Sequence, residues 1–123
     1  MNRILALSAL ALAGRRIDKL QETAATLLTP SLVIPTDLRD LAQVEAMIDR
    51  SIAFSGRLDA LINNAGFSLP ATIPQTTRQL VEEVYAINAL APTLAIARAW
   101  QALERQASAV GRAVIVNISS MAT

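Results

Sequence analysis

At 123 residues the chain has length for one hydrophobic core and not for two. With 53% apolar and 17% charged residues it is no disordered segment, and 11 basic against 10 acidic side chains offer no basic face to nucleic acid. The absence of His and Cys excludes a Ser-His-Asp or Cys-His nucleophile within these residues, zinc held by imidazole or thiolate, and disulfides.

Arg3 precedes an apolar run over residues 4–13, and Ala11-Leu12-Ala13 before Gly14 imitates the cleavage site of a secretory signal. The run is too short to cross a bilayer as a helix. Over residues 9–13 it reads instead as a buried strand ended by Gly14, and the expected compartment is the cytoplasm, with no membrane partner. Ile17, Leu20, Ala24, Leu27 and Leu28 follow at three-to-four spacing, one face of a helix that Pro30 stops. Residues 32–34 form a second short strand. Asp40 and Gln43 have capping-box spacing ahead of Leu41, Val44, Ile48 and Ile52, the apolar face of a second helix closed by Gly56. Residues 58–62 predict a third strand. Thr76 and Gln79 repeat the capping spacing at the start of a long helix over residues 77–106, Gly111 ends that segment, and residues 113–118 predict the last strand.

Strands separated by helices indicate βαβ units around a parallel sheet covered on both faces, an α/β, doubly wound, three-layer arrangement. In such sheets the ligand sits outside the carboxyl ends of the strands. Gly14-Arg15-Arg16, Thr36-Asp37, Asn63-Asn64-Ala65-Gly66 and Ser119-Ser120 follow the four strands and so share one edge.

These residues carry a resemblance. Leu-Ala-Gly-Arg-Arg (12–16), Thr-Asp-Leu (36–38), Leu-Ile-Asn-Asn-Ala-Gly (61–66), Ile-Asn-Ala (87–89) and Ile-Val-Asn-Ile-Ser-Ser (115–120) are similar to segments of the short-chain dehydrogenase/reductase family, Rossmann-fold oxidoreductases that use NAD or NADP. The resemblance runs from about Ala9 to the C-terminus. It implies hydride transfer between a nicotinamide cofactor and a small alcohol or carbonyl substrate.

The resemblance places Arg15 and Arg16 beside the adenosine ribose, where a guanidinium fork matches a 2′-phosphate and implies NADP rather than NAD. Otherwise they are two solvated arginines at a helix start, where cations oppose the helix dipole. Asp37, with Leu38, matches the family's adenine contact, and is equally a turn residue before the helix. Asn64, Ala65 and Gly66 match the stretch that lines the adenosine side; the paired Asn63 and Asn64 can bond neighbouring strands or are a polar turn, and Asn117 inside its strand suits structural hydrogen bonding. Asn88 matches the catalytic asparagine, which holds a water with its main-chain carbonyl. Pro92, four residues on, has no N–H to give that carbonyl, so a helix running through should kink there. The other reading is a surface Asn ahead of a new helix beginning at Pro92. Ser120 matches the catalytic serine, which orients the substrate oxygen and stabilises charge on it; by itself a Ser-Ser pair at a strand end is a capping feature.

Two family hallmarks have no counterpart in this sequence. No glycine-rich turn precedes Ala9, and no Tyr with a Lys four residues on follows Ser120; Tyr85 has Ala89 at that spacing, and Lys19 belongs to the first helix. Residues 1–123 are thus expected to form a single, partial cofactor-binding domain. In this fold the first strand stands at the centre of the sheet, so the strands at residues 9–13 and 32–34 have no bridge to the other two, and exposed sheet edges and low stability are expected. The competing reading is an inactive fragment or truncated paralogue, at most a weak nucleotide binder or a module that pairs through helices in residues 77–108. A small secreted domain is a third.

Overall fold

The structure is a computed structural model that describes residues 9–120. The first half of the signal-like stretch lies outside them. In chain order the elements are β1 (Leu10–Gly14), α1 (Ile17–Ala25), β2 (Ser31–Pro35), α2 (Leu41–Ser55) and β3 (Ala60–Asn63). A 3-10 turn (Ile73–Gln75), α3 (Arg78–Tyr85), a π-helical segment (Ala86–Leu90), α4 (Ala91–Val110) and β4 (Val114–Asn117) complete it.

β1 pairs with β2 and β3 with β4, both parallel, and the two pairs form separate sheets. α1 lies against β1 and β2, whereas α2 and α4 pack on each other. Their seam is the core: Val44 and Ile48 of α2 meet Ala91, Ala95, Ala99 and Leu103 of α4, with Leu61 of β3 and Ile115 of β4 packed against them. The alanines recur every four residues along one stripe of α4, which lets the two backbones come close. Asp49 and Arg98 pin the same pair of helices from outside through two 2.8 Å bonds, Nε to Oδ1 and Nη2 to Oδ2. By length and apolarity the helical run Arg78–Val110 could cross a membrane; here its alanine stripe is spent on α2.

Several boundaries shift from the sequence expectation. α1 ends at Ala25, so Leu27 and Leu28 leave the helix face. Thr26 causes this locally, because its N–H and its hydroxyl both bond to Thr23 O, at 3.0 and 2.7 Å. β3 begins at Ala60 rather than at residue 58, and β4 is two residues shorter than predicted. Asp40 caps α2 as expected, accepting from Ala42 N at 3.0 Å and Gln43 N at 3.4 Å. The reciprocal half of its box does not form. Gln43 Nε2 donates to Asp40 Oδ2, and Gln43 Oε1 accepts instead from Asp37 N. Thr76 is not the cap of the long helix: Thr77 Oγ1 accepts from Leu80 N, while Thr76 belongs to the preceding turn, its hydroxyl donating to Thr72 O.

The long helix is interrupted where Asn88 and Pro92 place the break. Ala91 N donates to Ala86 O, a bond one residue longer than the α-helical one. Pro92 removes the N–H that an α-helix would aim at the Asn88 carbonyl, and a wider register absorbs that loss without ending the helix.

Candidate functional site

A cleft of about 110 Å³ opens at the carboxyl ends of β1, β2 and β3. It is lined by Gly14, Arg15, Thr36, Asp37, Leu38, Ala65, Gly66, Phe67 and Ile87. Of the residues singled out in the sequence, Arg15, Asp37, Leu38, Ala65 and Gly66 meet here. Arg16 and Asn64 line the neighbouring trough between the sheets instead. Ser120 lies exposed, three residues beyond the end of β4.

Gly14 and Gly66 test whether the cleft suits a ligand. Neither has a positive φ. A Cβ built at Gly14 comes no closer than 3.7 Å to Leu20, and one at Gly66 stands 3.7 Å from Asn88 Oδ1, ordinary contacts in both cases. Neither backbone conformation nor packing demands glycine at these positions. Both glycines line the cleft, where the lack of a side chain lets the backbone approach a bound group.

Arg16 is the N-cap of α1, and its side chain makes no capping bond. The first turn of this helix therefore presents N–H groups without a side-chain acceptor. Arg15 and Arg16 are both exposed, and neither forms an ion pair among the described residues. Two unpaired guanidinium groups beside an uncapped helix N-terminus favour an anion.

Asp37 is held differently. Arg39 donates its backbone N–H and Nε to Asp37 Oδ1, each at 3.0 Å, and its Nη2 to Oδ2 at 2.7 Å. The Arg39 side chain also stands 3.9 Å from Glu83 on α3. Hydrogen bonds from the Arg39 side chain, then from its backbone, draw the Asp37 pKa down to about 2. Because the folded value is depressed, this contribution to stability is complete above the ordinary carboxylate pKa and is lost as pH falls towards 2. A carboxyl titration followed by NMR should find Asp37 near 2. In Arg39→Gln it should return towards the usual value of about 3.9; an unchanged value would remove the Arg39 side chain as the cause.

Asn88, next to the cleft-lining Ile87, holds the loop on the other side of the cleft in place. Its Oδ1 accepts from Phe67 N at 2.9 Å, and its Nδ2 donates to Phe67 O at 2.7 Å. The amide thus imitates a strand neighbour for the loop after β3, tying Gly66 and Phe67 to the π segment. Asn63 Nδ2 donates to Asn117 Oδ1 at 2.9 Å between the ends of β3 and β4, as paired asparagines suggested. Sequence reasoning missed Phe67 and Ile87 as cleft residues, and the brace from Arg39. Ile87 appeared only as the first residue of the Ile-Asn-Ala segment, and Phe67 carried no signal at all.

Parallel strand pairs, intervening helices and a cleft at the strands' carboxyl ends define a Rossmann-like, doubly wound α/β fold. The short chain dehydrogenase family profile matches residues 6–123, and the chain belongs to that family. Its structure is similar to NADPH-bound carbonyl reductase from chicken fatty liver, with 28% identity and a TM-score of 0.80 over 92% of this chain and 48% of that one. In fold it also matches the 3-ketoacyl-(acyl-carrier-protein) reductase of Brucella melitensis complexed with NADH, with a TM-score of 0.81 at 19% identity over 89% of this chain and 46% of that one. L-fucose dehydrogenase of Mus musculus is 28% identical over 95 residues, 76% of this chain and 33% of its own length. The chain therefore spans between a third and a half of these relatives.

Proposed function

We propose that residues 1–123 are a single, partial domain carrying the adenosine end of the cofactor site of an NADP(H)-dependent oxidoreductase, one that acts on a small alcohol or carbonyl compound in the cytoplasm. The observation that carries this reading is the cleft itself, which Gly14, Ala65 and Gly66 line together with the unpaired Arg15. Arg15 and Arg16 would hold the 2′-phosphate. Leu38 would cover one face of the adenine, and Asp37, oriented by Arg39, would meet its edge. A nicotinamide cofactor bound here supplies the hydride. Asn88 keeps its amide on Phe67, which leaves its main-chain carbonyl as the group able to hold a water near the reacting end. Ser120 would donate its hydroxyl to the substrate oxygen. Binding of NADP by relatives of this fold supports the phosphate reading, and NADH in another leaves NAD as the alternative.

Tyr85, with Ala89 four residues on, and Lys19 on α1 favour a second reading, a nucleotide-binding or pairing module without turnover. The exposed Val81, Tyr85, Leu90 and Trp100 on the helices of residues 78–110 would then face a second copy or an intact relative.

Titration of NADPH and NADH into the chain, read through nicotinamide fluorescence, tests the cofactor assignment. Saturation by NADPH at micromolar concentration, at least about tenfold tighter than NADH, is expected, a gap of about 1.4 kcal/mol. Failure of NADPH to saturate overturns it. Turnover of a carbonyl panel with NADPH by the chain supports the first reading, and cofactor binding without turnover the second.

A further inference from the structure

The wall of the cleft carries one cation, Arg15, and one anion, Asp37. Opposite charges that share so small a space ordinarily pair, and such a pair would leave no guanidinium for a ligand. Here they do not pair: among the described residues Arg15 forms no ion pair, and the Asp37 carboxylate goes to Arg39. Arg39 itself does not line the cleft. The charge of Arg15 is still felt at Asp37, since after the bonds from Arg39 it too draws the Asp37 pKa down. Asp40, the next acid along, spends its carboxylate on Ala42 N, Gln43 N and Gln43 Nε2. Asp18 of α1 lines neither the cleft nor the trough.

Asp37 is held at every polar group. An ionised carboxylate offers about four acceptor positions. The Arg39 N–H and Nε fill two of them on Oδ1, and Nη2 takes one on Oδ2. The bond from the Arg39 N–H is the turn that any residue two places after an aspartate can form; the guanidinium adds the planar fork, which lysine cannot supply. In the backbone, Gln43 Oε1 accepts the Asp37 N–H at 2.8 Å, and the Asp37 carbonyl accepts from Asp40 N at 3.0 Å. Nη1, the guanidinium nitrogen left over, stands 3.9 Å from Glu83 of α3, whose Oε1 accepts from Gln79 at 3.4 Å.

We propose that Arg39 is a positioning residue for anion recognition: by holding Asp37 in its fork it keeps that carboxylate off Arg15, and so leaves Arg15 to the phosphate that distinguishes NADP from NAD. The inference rests on the reading of Arg15 given above. Two effects act together. Without the fork, Asp37 is free to turn to Arg15, with which it shares the cleft wall. Its charge, no longer balanced at hydrogen-bond distance, also repels an incoming phosphate. The Arg39 and Asp37 side chains are 43% and 28% exposed, so breaking the pair leaves the fold intact, and its consequence is the local charge of the cleft.

The test is titration of NADPH and NADH into the 123-residue chain, Arg39→Gln, Asp37→Asn and the double variant, comparing the ratio of the two affinities. A bond from Asp37 to the adenine falls on both nucleotides alike, so the ratio reads the 2′-phosphate. Arg39→Gln is expected to lower the preference for NADPH at least about threefold. Adding Asp37→Asn to that variant should restore it to within about twofold of the original. Asp37→Asn alone should not lower it, because no carboxylate then remains to be restrained. An unchanged ratio in Arg39→Gln overturns the inference and leaves the reading of Arg15 standing; equal losses for both nucleotides are such a case and make Arg39 structural only. A lowered ratio that Asp37→Asn does not restore also overturns it, placing Arg39 on the phosphate itself. No preference for NADPH in the unaltered chain overturns the reading of Arg15, and this inference with it. If Arg39→Gln does not fold, Asp37→Asn alone still decides: a lowered ratio there means that the carboxylate helps to hold the phosphate, the opposite of the proposal.

Discussion

Ala99→Leu is expected to lower the stability of this chain by about 3 kcal/mol, at the upper end of what overpacking a filled core costs. Ala99 has no solvent exposure and lies on the seam where α4 meets Val44 and Ile48 of α2. Three further carbons have nowhere to go without pushing the helices apart. That separation would also loosen Ala95 and Leu103, one turn away on either side along the stripe. A domain of this size has only about 5–15 kcal/mol in hand, so the loss should show as a clear fall in the urea midpoint and in soluble yield. The adjacent Trp100 is 54% exposed, and Trp100→Leu should stay within about 0.5 kcal/mol. An unchanged midpoint for Ala99→Leu would mean that α4 does not pack on α2 through this stripe.

That seam was only partly legible in the sequence. Val44 and Ile48 announce themselves by helical spacing next to a cap and a terminal glycine, signals contained within one element. The alanine stripe of α4 is fainter: Ala91, Ala95, Ala99 and Ala102 share one face and only Ala97 leaves it, but alanine is small and weakly apolar, and the partner helix decides that this face is buried. The same distinction separates the correct ends from the wrong ones. Gly56 and Gly111 end their helices in the left-handed conformation, with φ of 73° and 83°, a preference intrinsic to the residue. Thr76 and Thr77 are chemically alike, and the choice between them depends on Thr76 being drawn back to Thr72.

The site divides in the same way. Glycine and asparagine motifs at strand ends located the cleft because the ligand edge follows from strand order alone. Asn88 was legible through Pro92, a residue whose missing N–H has one consequence at one spacing. The bond from Asn88 to Phe67 was not, because it spans 21 residues and depends on how the loop after β3 folds back. Nor was the split between the sheets' shared trough and the cleft, which leaves Arg16 and Asn64 on the trough alone while Arg15 lines both.

The division between Arg15 and Arg16 leads to the second large expected effect. Replacing both with alanine should weaken NADPH binding about 10- to 100-fold while changing NADH by less than about threefold. Hydrogen bonds to a charged group contribute about 1.5–3 kcal/mol, and a tenfold change in affinity is 1.4 kcal/mol; one well-made contact to the 2′-phosphate accounts for the whole range, solvent exposure placing it towards the lower end. Arg15 lines both the cleft and the trough and Arg16 the trough alone, so Arg15→Ala alone should reproduce most of the loss, and Arg15→Glu should exceed it by placing like charges together. Both arginines also flank an uncapped helix N-terminus, which attracts any phosphate. Comparison of the two nucleotides separates these roles. An equal loss for NADPH and NADH would assign the arginines to the pyrophosphate or to the general field of the site. No loss for either would return them to the solvated pair that their exposure alone describes. Only a loss confined to NADPH places a guanidinium on the 2′-phosphate, because that group is the single difference between the two ligands.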